Sequence, residues 1–120
     1  METYITHRDN VTPTEVQGLF GGRGRFRRWT YYGETVAPPF TVIAETEMAP
    51  GASAGLHTQP DQQELLYILE GRGRFTLDGR VSRVKPGDAI LARAGSHFAL
   101  ANPSKKPLRY LVLKCRFQAP

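Results

Sequence analysis

Three side chains that suit metal binding or acid–base chemistry lie in one short segment: His57, Gln59 and Glu64. In an extended chain, residues two apart share a face, so His57 and Gln59 point the same way. A turn over residues 60–63 would fold Glu64 back beside them. Imidazole, amide and carboxylate donors together suit borderline divalent metals such as Fe, Mn, Ni, Co or Zn. Without a metal, His57 would transfer protons and Glu64 would orient it.

The elements that must position these groups read as short strands between turn signals. Asp78-Gly79 is a strong two-residue hairpin signal. The expected strands cover residues 23–32, 40–48, 64–69, 74–77, 81–84, 89–92, 98–101 and 108–117. Strands at such regular intervals predict a β-sandwich or barrel. The one helical candidate, Thr12–Phe20, is long enough for one or two turns.

The composition favours one soluble domain of 120 residues with many turns, since glycine numbers 12 and proline 9. The single cysteine, Cys115, excludes an internal disulfide and fits a reducing, cytoplasmic compartment. No apolar run is long enough to span a membrane, and the polar first residues do not predict a secretory signal.

The net charge of +5 and pI near 9.7 raise nucleic acid as a partner, but the charge distribution argues against it. No Lys or Arg occurs between Arg28 and Arg72, and no nucleic-acid motif accompanies the basic residues. Arg23, Arg25 and Arg27 share a strand face, which suits either anion binding or arginine stems packed over aromatics. We favour the second interpretation and expect no nucleic-acid partner.

The glycines around the first segment have a recognisable spacing. Gly51, five residues, His57, one residue, Gln59, four residues, Glu64, six residues and Gly71 follow one another. This pattern resembles the first motif of the cupin superfamily, in which a second histidine stands where this chain has Gln59. The resemblance makes His57 and Glu64 candidate ligands and Gln59 a neutral oxygen ligand.

The second cupin motif is also visible. Gly87, Gly95 and Asn102 have its spacing, with Arg93 in place of the usual proline. Phe98 stands at the family's last metal-ligand histidine, and His97 lies one residue earlier.

A phenylalanine cannot bind a metal, so the orientation of His97 decides the ligand set. In regular strand geometry His97 faces away if Phe98 faces the barrel, whereas a β-bulge near Gly95 would turn it inward. The candidate metal ligands are therefore His57, Gln59, Glu64 and His97. The predicted pocket also includes Phe98, Arg93 and Tyr67.

The resemblance implies an all-β, double-stranded β-helix (jelly-roll) barrel of two antiparallel sheets with little or no helix. The chain is then one cupin domain over residues 1–120. Residues 1–39 form an N-terminal arm and outer strands, and residues 40–117 form the barrel. Glu45 and Glu47 share the outward face of their strand, so neither is a catalytic candidate.

The resemblance also implies an enzyme that acts on a small polar or anionic metabolite inside the barrel. We expect non-oxidative chemistry of the isomerase, cyclase or dehydratase/lyase type, with His57 and Glu64 catalytic and a depleted divalent metal site of low or no occupancy. O₂ activation needs a firmly held metal, which this ligand set does not favour. Three alternatives stay open: a metal-free acid–base enzyme, a non-catalytic binding protein and a metal-dependent dioxygenase.

Small cupins often pair through an outer sheet, so the resemblance suggests a homodimer. The aromatic side chains that would pack on the partner are Trp29, Tyr31, Tyr32 and Phe40.

Overall fold

A computed structural model describes residues 4–116, and within them the chain forms ten strands and two short 3₁₀ turns. The strands are β1 Thr14–Gln17, β2 Arg25–Gly33, β3 Phe40–Met48, β4 Ser53–Thr58, β5 Gln62–Glu70, β6 Gly73–Leu77, β7 Arg80–Val84, β8 Ala89–Ala92, β9 His97–Ala101 and β10 Leu108–Arg116. The turns cover Arg8–Asn10 and Leu19–Gly21. The predicted all-β class is confirmed.

The strands form two antiparallel sheets. One sheet has six strands in the order β1-β2-β3-β10-β5-β8, and the other has four in the order β4-β9-β6-β7. Several neighbouring strands, such as β3 and β10 or β4 and β9, are far apart in sequence, as in a jelly roll. The predicted two-sheet barrel is therefore confirmed.

Strict alternation of side chains builds the core between the sheets. On β5, Glu64, Leu66 and Ile68 are buried, whereas Leu65 and Tyr67 between them are exposed. The same period of two places Tyr110 and Val112 of β10 inside. Each fully buried large apolar side chain contributes about 1.5–3 kcal/mol.

The N-terminal segment corrects one expectation. Residues 12–20, predicted as one or two helical turns, form strand β1 and the turn Leu19–Gly21. Strand β1 pairs with the edge of β2 in the register Glu15↔Arg27, and Gly18 ends it with a φ of +63°. Pairing with the free edge of β2 stabilised a strand here more than the weak helical preference of the segment stabilised a helix. The predicted end of the last strand, Phe117, lies outside the described residues.

The outer face of the six-stranded sheet buries a carboxylate. Glu45 faces outward as expected, yet it is 5% exposed. Arg8 Nη2 lies 3.1 Å and Arg109 Nη2 2.9 Å from its Oε2. The Arg8 guanidinium also lies 4.0 Å from the Trp29 ring centroid. Burial alone would raise the pKa of Glu45, but the hydrogen bonds and charges of Arg8 and Arg109 hold it below its ordinary value.

Two further observations complete the fold. Arg27 of the predicted arginine stripe pairs with Glu47 at 2.8 Å and lies 5.2 Å from the Trp29 ring, whereas Arg23 and Arg25 are exposed. Within residues 4–116, no helix has the length and apolar character needed to cross a membrane.

Candidate functional site

His57 lies on β4 at the mouth of the barrel, opposite Phe98 of β9. A register shift between Ala54 and His57 sets its position on the strand. Its Nδ1 is 2.7 Å from the carbonyl oxygen of Gly55. Because a carbonyl only accepts, this contact assigns the proton to Nδ1 and leaves Nε2 as the nitrogen available for chemistry.

Two aromatic rings hold the imidazole of His57 in place. The Phe20 ring stacks on it, with centroids 3.6 Å apart and planes at 12°. The Phe98 ring also contacts the imidazole, with centroids 4.3 Å apart. His57 therefore has a fixed orientation and apolar surroundings.

Glu64 begins the buried row of β5 and is the carboxylate of the site. Gln59 Nε2 donates a hydrogen bond to Glu64 Oε1 at 3.2 Å, and Lys114 Nζ lies 3.5 Å from the same oxygen. The hairpin thus brings Gln59 and Glu64 together, as their spacing suggests. The Oε1 atom of Gln59 is buried without a hydrogen-bond partner in the described part of the chain.

Three groups of the site were not among the predicted site residues. Arg28 enters from β2, and Tyr110 and Lys114 enter from β10. Arg28 Nε donates to Thr46 Oγ1 at 3.3 Å, and Arg28 has no carboxylate partner within residues 4–116. Burial raises the pKa of Tyr110 well above its ordinary value, so its hydroxyl remains a proton donor.

These side chains surround one small cavity of about 20 Å³. That volume holds about one water molecule. Its polar lining comprises Arg28, His57, Glu64, Tyr110 and Lys114, and its walls include Phe20, Phe75 and Phe98. Anything larger than water requires the Leu19–Gly21 turn, which carries Phe20, to move.

Gln59 contacts Glu64 but does not line this cavity, and three further predicted site residues also lie outside it. His97 has a side chain 64% exposed, and its backbone N–H donates to Asp78 Oδ1 at 2.8 Å. Strand β9 is regular over His97–Ala101, so alternation turns His97 outward once Phe98 points inward. The register shift falls in β4 instead of near Gly95.

Tyr67 and Arg93 are the other two. Tyr67 is 41% exposed because it alternates with the inward Leu66 and Ile68. Arg93 follows the end of β8 and is exposed. The position of Tyr67 follows from strand parity, which motif spacing alone does not supply, whereas Arg93 lies beyond the end of its strand.

A two-sheeted antiparallel jelly roll around a small cavity is the architecture of the cupin class. The sequence matches the cupin domain family over residues 44–114. The chain belongs to the cupin family, which confirms the resemblance seen in its motifs.

Several proteins are similar to the chain. The oxalate-binding protein of Thermotoga maritima is 26% identical over 110 residues, covering 91% of both chains. The crystal structure of a predicted oxalate decarboxylase from Thermotoga maritima superposes with a TM-score of 0.90 at 23% identity, covering 95% of this chain and 100% of that one. The polyketide cyclase RemF of Streptomyces resistomycificus has a TM-score of 0.78 at 24% identity, covering 99% and 82%. At these identities the two structures show the fold alone.

Cupins often bind a metal, so we tested whether the residues present fit one. Within residues 4–116, no three or more His, Cys, Asp or Glu side chains cluster as metal ligands would. Phe98 fills the position of the last family ligand, and the Lys114 ammonium lies 3.5 Å from Glu64, where it would repel a cation. Gln59 Oε1 adds only a neutral oxygen. The donor set does not fit a divalent metal.

Proposed function

We propose that this cupin binds a small carboxylate-bearing metabolite inside its barrel and performs non-oxidative acid–base chemistry on it. The observation that carries the proposal is the charge of the cavity. Arg28 and Lys114 contribute two cations, whereas Glu64 contributes one carboxylate. A charge in a nearly dry cavity is costly unless it is paired, so the excess cation favours an anionic guest.

The arginine suits a carboxylate in particular. A guanidinium presents planar donors that match carboxylate geometry, and Arg28 uses its Nε on Thr46 without meeting any carboxylate among the described residues. Lys114 already contacts Glu64, so Arg28 would be the main anion-binding group. Lys114 would then balance the charge of Glu64.

The remaining polar groups supply proton transfer. The geometry of His57 presents Nε2 as a base or, once protonated, as an acid. The Tyr110 hydroxyl, held protonated by burial, would donate to a developing oxyanion. Phe20 and Phe98 exclude water and strengthen these interactions. This set supports an isomerase, cyclase or lyase reaction.

The first test is a calorimetric titration with oxalate, glyoxylate and acetate. The name of the Thermotoga maritima relative makes oxalate the first probe. Arg28→Gln should weaken binding about tenfold or more, because a charge-assisted hydrogen bond contributes about 1.5–3 kcal/mol. Arg25→Gln is the matched control, since Arg25 is exposed on the same strand, and it should change binding by less than about twofold.

Two results would contradict the proposal. One is that none of the three carboxylates binds. The other is that Arg28→Gln and Arg25→Gln have the same affinity.

A binding protein without turnover is the second candidate. It is favoured by the contacts that already occupy Glu64, which has Gln59 and Lys114 as partners. The two functions separate by following the bound carboxylate by NMR in wild type and His57→Ala. Turnover that disappears in His57→Ala while binding persists supports the enzyme, and unchanged ligand in both supports the binding protein.

The cytoplasmic location and the homodimer remain predictions. The aromatic face expected to meet a partner is partly covered by the chain itself, since Arg8 packs on Trp29. We therefore place the proposed dimer contact on the outer face of β5 and β8, where Leu65, Tyr67, Leu69 and Leu91 are 37–47% exposed.

A further inference from the structure

A groove outside the barrel is lined by cations and by no acidic side chain. It lies where β6 and β7 meet the loop of residues 103–107, and its volume is about 410 Å³. This is the size of a small-molecule site. Its charged lining consists of Arg72, Arg74, Arg83 and Lys85. We call it the basic groove.

The side chains of these four residues make no ion pair within residues 4–116, whereas several carboxylates of the other sheet are paired with cations. Glu47 contacts Arg27 at 2.8 Å, and Glu70 contacts Arg109 at 2.9 Å. Among the described residues, four cations without an ion pair are therefore concentrated on this side of the molecule. A multiply charged anion would be attracted to that side.

Two of these cations lie opposite each other, and their repulsion destabilises the strand pair. Arg74 and Arg83 are direct cross-strand partners on β6 and β7. Their neighbours Phe75 and Val84 are buried, so both arginines stand on the outer face. Like charges directly opposite each other destabilise an antiparallel pair. An anion bound between them would convert that repulsion into attraction.

The loop that forms one wall of the groove is already ordered without a ligand. Asn102 is 1% exposed, and its Nδ2 donates to the carbonyl oxygens of Met48 at 3.2 Å and Lys106 at 2.7 Å. Its Oδ1 accepts from the Ser104 backbone N–H at 3.1 Å and from the Ser104 hydroxyl at 2.7 Å. The loop that carries Ser104 therefore does not have to become ordered when a ligand binds.

The short connection between β5 and β6 packs closely on this loop. Gly71 has a φ of +85°, and a Cβ there would lie 2.3 Å from the carbonyl oxygen of Pro107. Only glycine permits that approach, which holds Arg72 beside the loop. A second groove of about 430 Å³ continues past Arg72 and adds Lys106, and its one acidic residue, Glu70, is paired with Arg109.

We propose that the basic groove is a binding site for a small oligophosphate, separate from the carboxylate site inside the barrel. Guanidinium forks match phosphate oxygens in pairs, and phosphate groups in a row carry enough negative charge for several cations. A single carboxylate would neutralise only one of the four. Because a second groove of similar volume continues the first past Arg72, the two together suit a chain of phosphates better than one isolated phosphate.

The test is a calorimetric titration with inorganic tripolyphosphate at low salt. Wild type should bind one tripolyphosphate per chain, and added salt should weaken the binding. Arg74→Gln and Arg83→Gln should each weaken it about tenfold or more. The matched control is Arg80→Gln, an exposed arginine on β7 outside the groove, which should change affinity by less than about twofold.

The thermal midpoints of the variants show that the loss is not unfolding. Arg74→Gln removes a like-charge pair, so its midpoint should equal or exceed that of wild type. The proposal is overturned if all three variants lose affinity equally, because the binding would then reflect net charge alone. It is also overturned if a single-stranded oligonucleotide of about 20 nucleotides binds more tightly than tripolyphosphate, which would indicate a surface for a polymer.

Discussion

At the residue scale, the charge inside the barrel is set by three side chains from three strands. Glu64, Lys114 and Arg28 belong to β5, β10 and β2. Lys114 is held against Glu64 at 3.5 Å, which leaves Arg28 to meet an outside anion. In the proposed function, the charge of a ligand therefore matters more for its binding than its shape does.

Removing the Glu64 carboxylate alone should show how the charge of the cavity affects the binding of an anion. We expect Glu64→Gln, which keeps the shape of the side chain, to tighten oxalate binding about fivefold or more because a repulsive charge is lost and Lys114 is released. The measurement is calorimetry beside Asp61→Asn, an exposed carboxylate on the preceding turn. Weaker binding by Glu64→Gln would show that Glu64 itself is required to hold the ligand.

Glu45, on the outer face of the six-stranded sheet, leads to a prediction about how stability depends on pH. Arg8 and Arg109 hold its pKa below the ordinary 4.5, so the folded state binds a proton less readily than the unfolded state. This contribution to stability is present above pH 4.5 and is lost as the pH falls through the folded pKa. Glu45→Gln should therefore cost about 1–3 kcal/mol at pH 7.

The same cost should shrink in acid. Urea denaturation of both proteins from pH 7 down to pH 3 measures it, with Glu15→Gln, an exposed glutamate on β1, as control. A difference between wild type and Glu45→Gln that stays constant over this range would contradict the role of the charge.

The residues of the site were predictable only where the motif contains them. His57, Gln59 and Glu64 lie close together in sequence; the hairpin brings Gln59 against Glu64, and His57 and Glu64 line the same cavity. Arg28 and Lys114 are far from that segment, and their place depends on strand register and parity. Sequence spacing carries neither, which also explains the wrong placement of Tyr67 and the uncertainty over His97.

At the element scale, the turn Leu19–Gly21 closes the barrel over His57. Phe20 has a φ of +52°, which is unfavourable for a residue with a side chain, and Gly18 and Gly21 flank it with positive φ. The stack on His57 adds to the backbone hydrogen bonds that the Gly18 and Gly22 N–H groups donate at the two ends of the turn. The turn is therefore the element best suited to open for a ligand.

Phe20→Gly tests the closure without any ligand. It removes the stacked ring and relieves the strained φ, so we expect diethyl pyrocarbonate to modify His57 about tenfold faster than in wild type. Mass spectrometry gives the rate at each histidine, and the exposed His97 serves as an internal control whose rate should not change. An unchanged rate at His57 would mean that Phe20 does not control access.

Most elements were predictable because turn signals and alternation mark them. Residues 40–48 and 89–92 form the predicted strands with the predicted bounds. The failure over residues 12–20 has a physical cause, since a four-residue strand at a sheet edge depends on its partner β2 more than on its own sequence. Local sequence favours neither a stable helix nor a strand there.

At the scale of the whole molecule, an apolar row crosses the outer face of the six-stranded sheet. Leu91, Leu65, Leu113 and Ile43 are consecutive cross-strand partners. An exposed apolar patch of this kind commonly marks a contact with another protein chain. The proposed homodimer would bury it.

Leu65→Glu should convert such a dimer into a monomer. Light scattering after size-exclusion chromatography gives the mass, with Val81→Glu on the four-stranded sheet as control because Val81 is 60% exposed. A wild-type chain that is monomeric at all concentrations tested would refute the homodimer.

The central claim is that the barrel binds a carboxylate through its own cations, without a metal. The most direct measurement is a calorimetric titration of oxalate into EDTA-treated protein, repeated after one equivalent of Zn²⁺ is added. The account predicts one oxalate per chain with the same affinity in both titrations. Binding that appears only after the metal is added would contradict it.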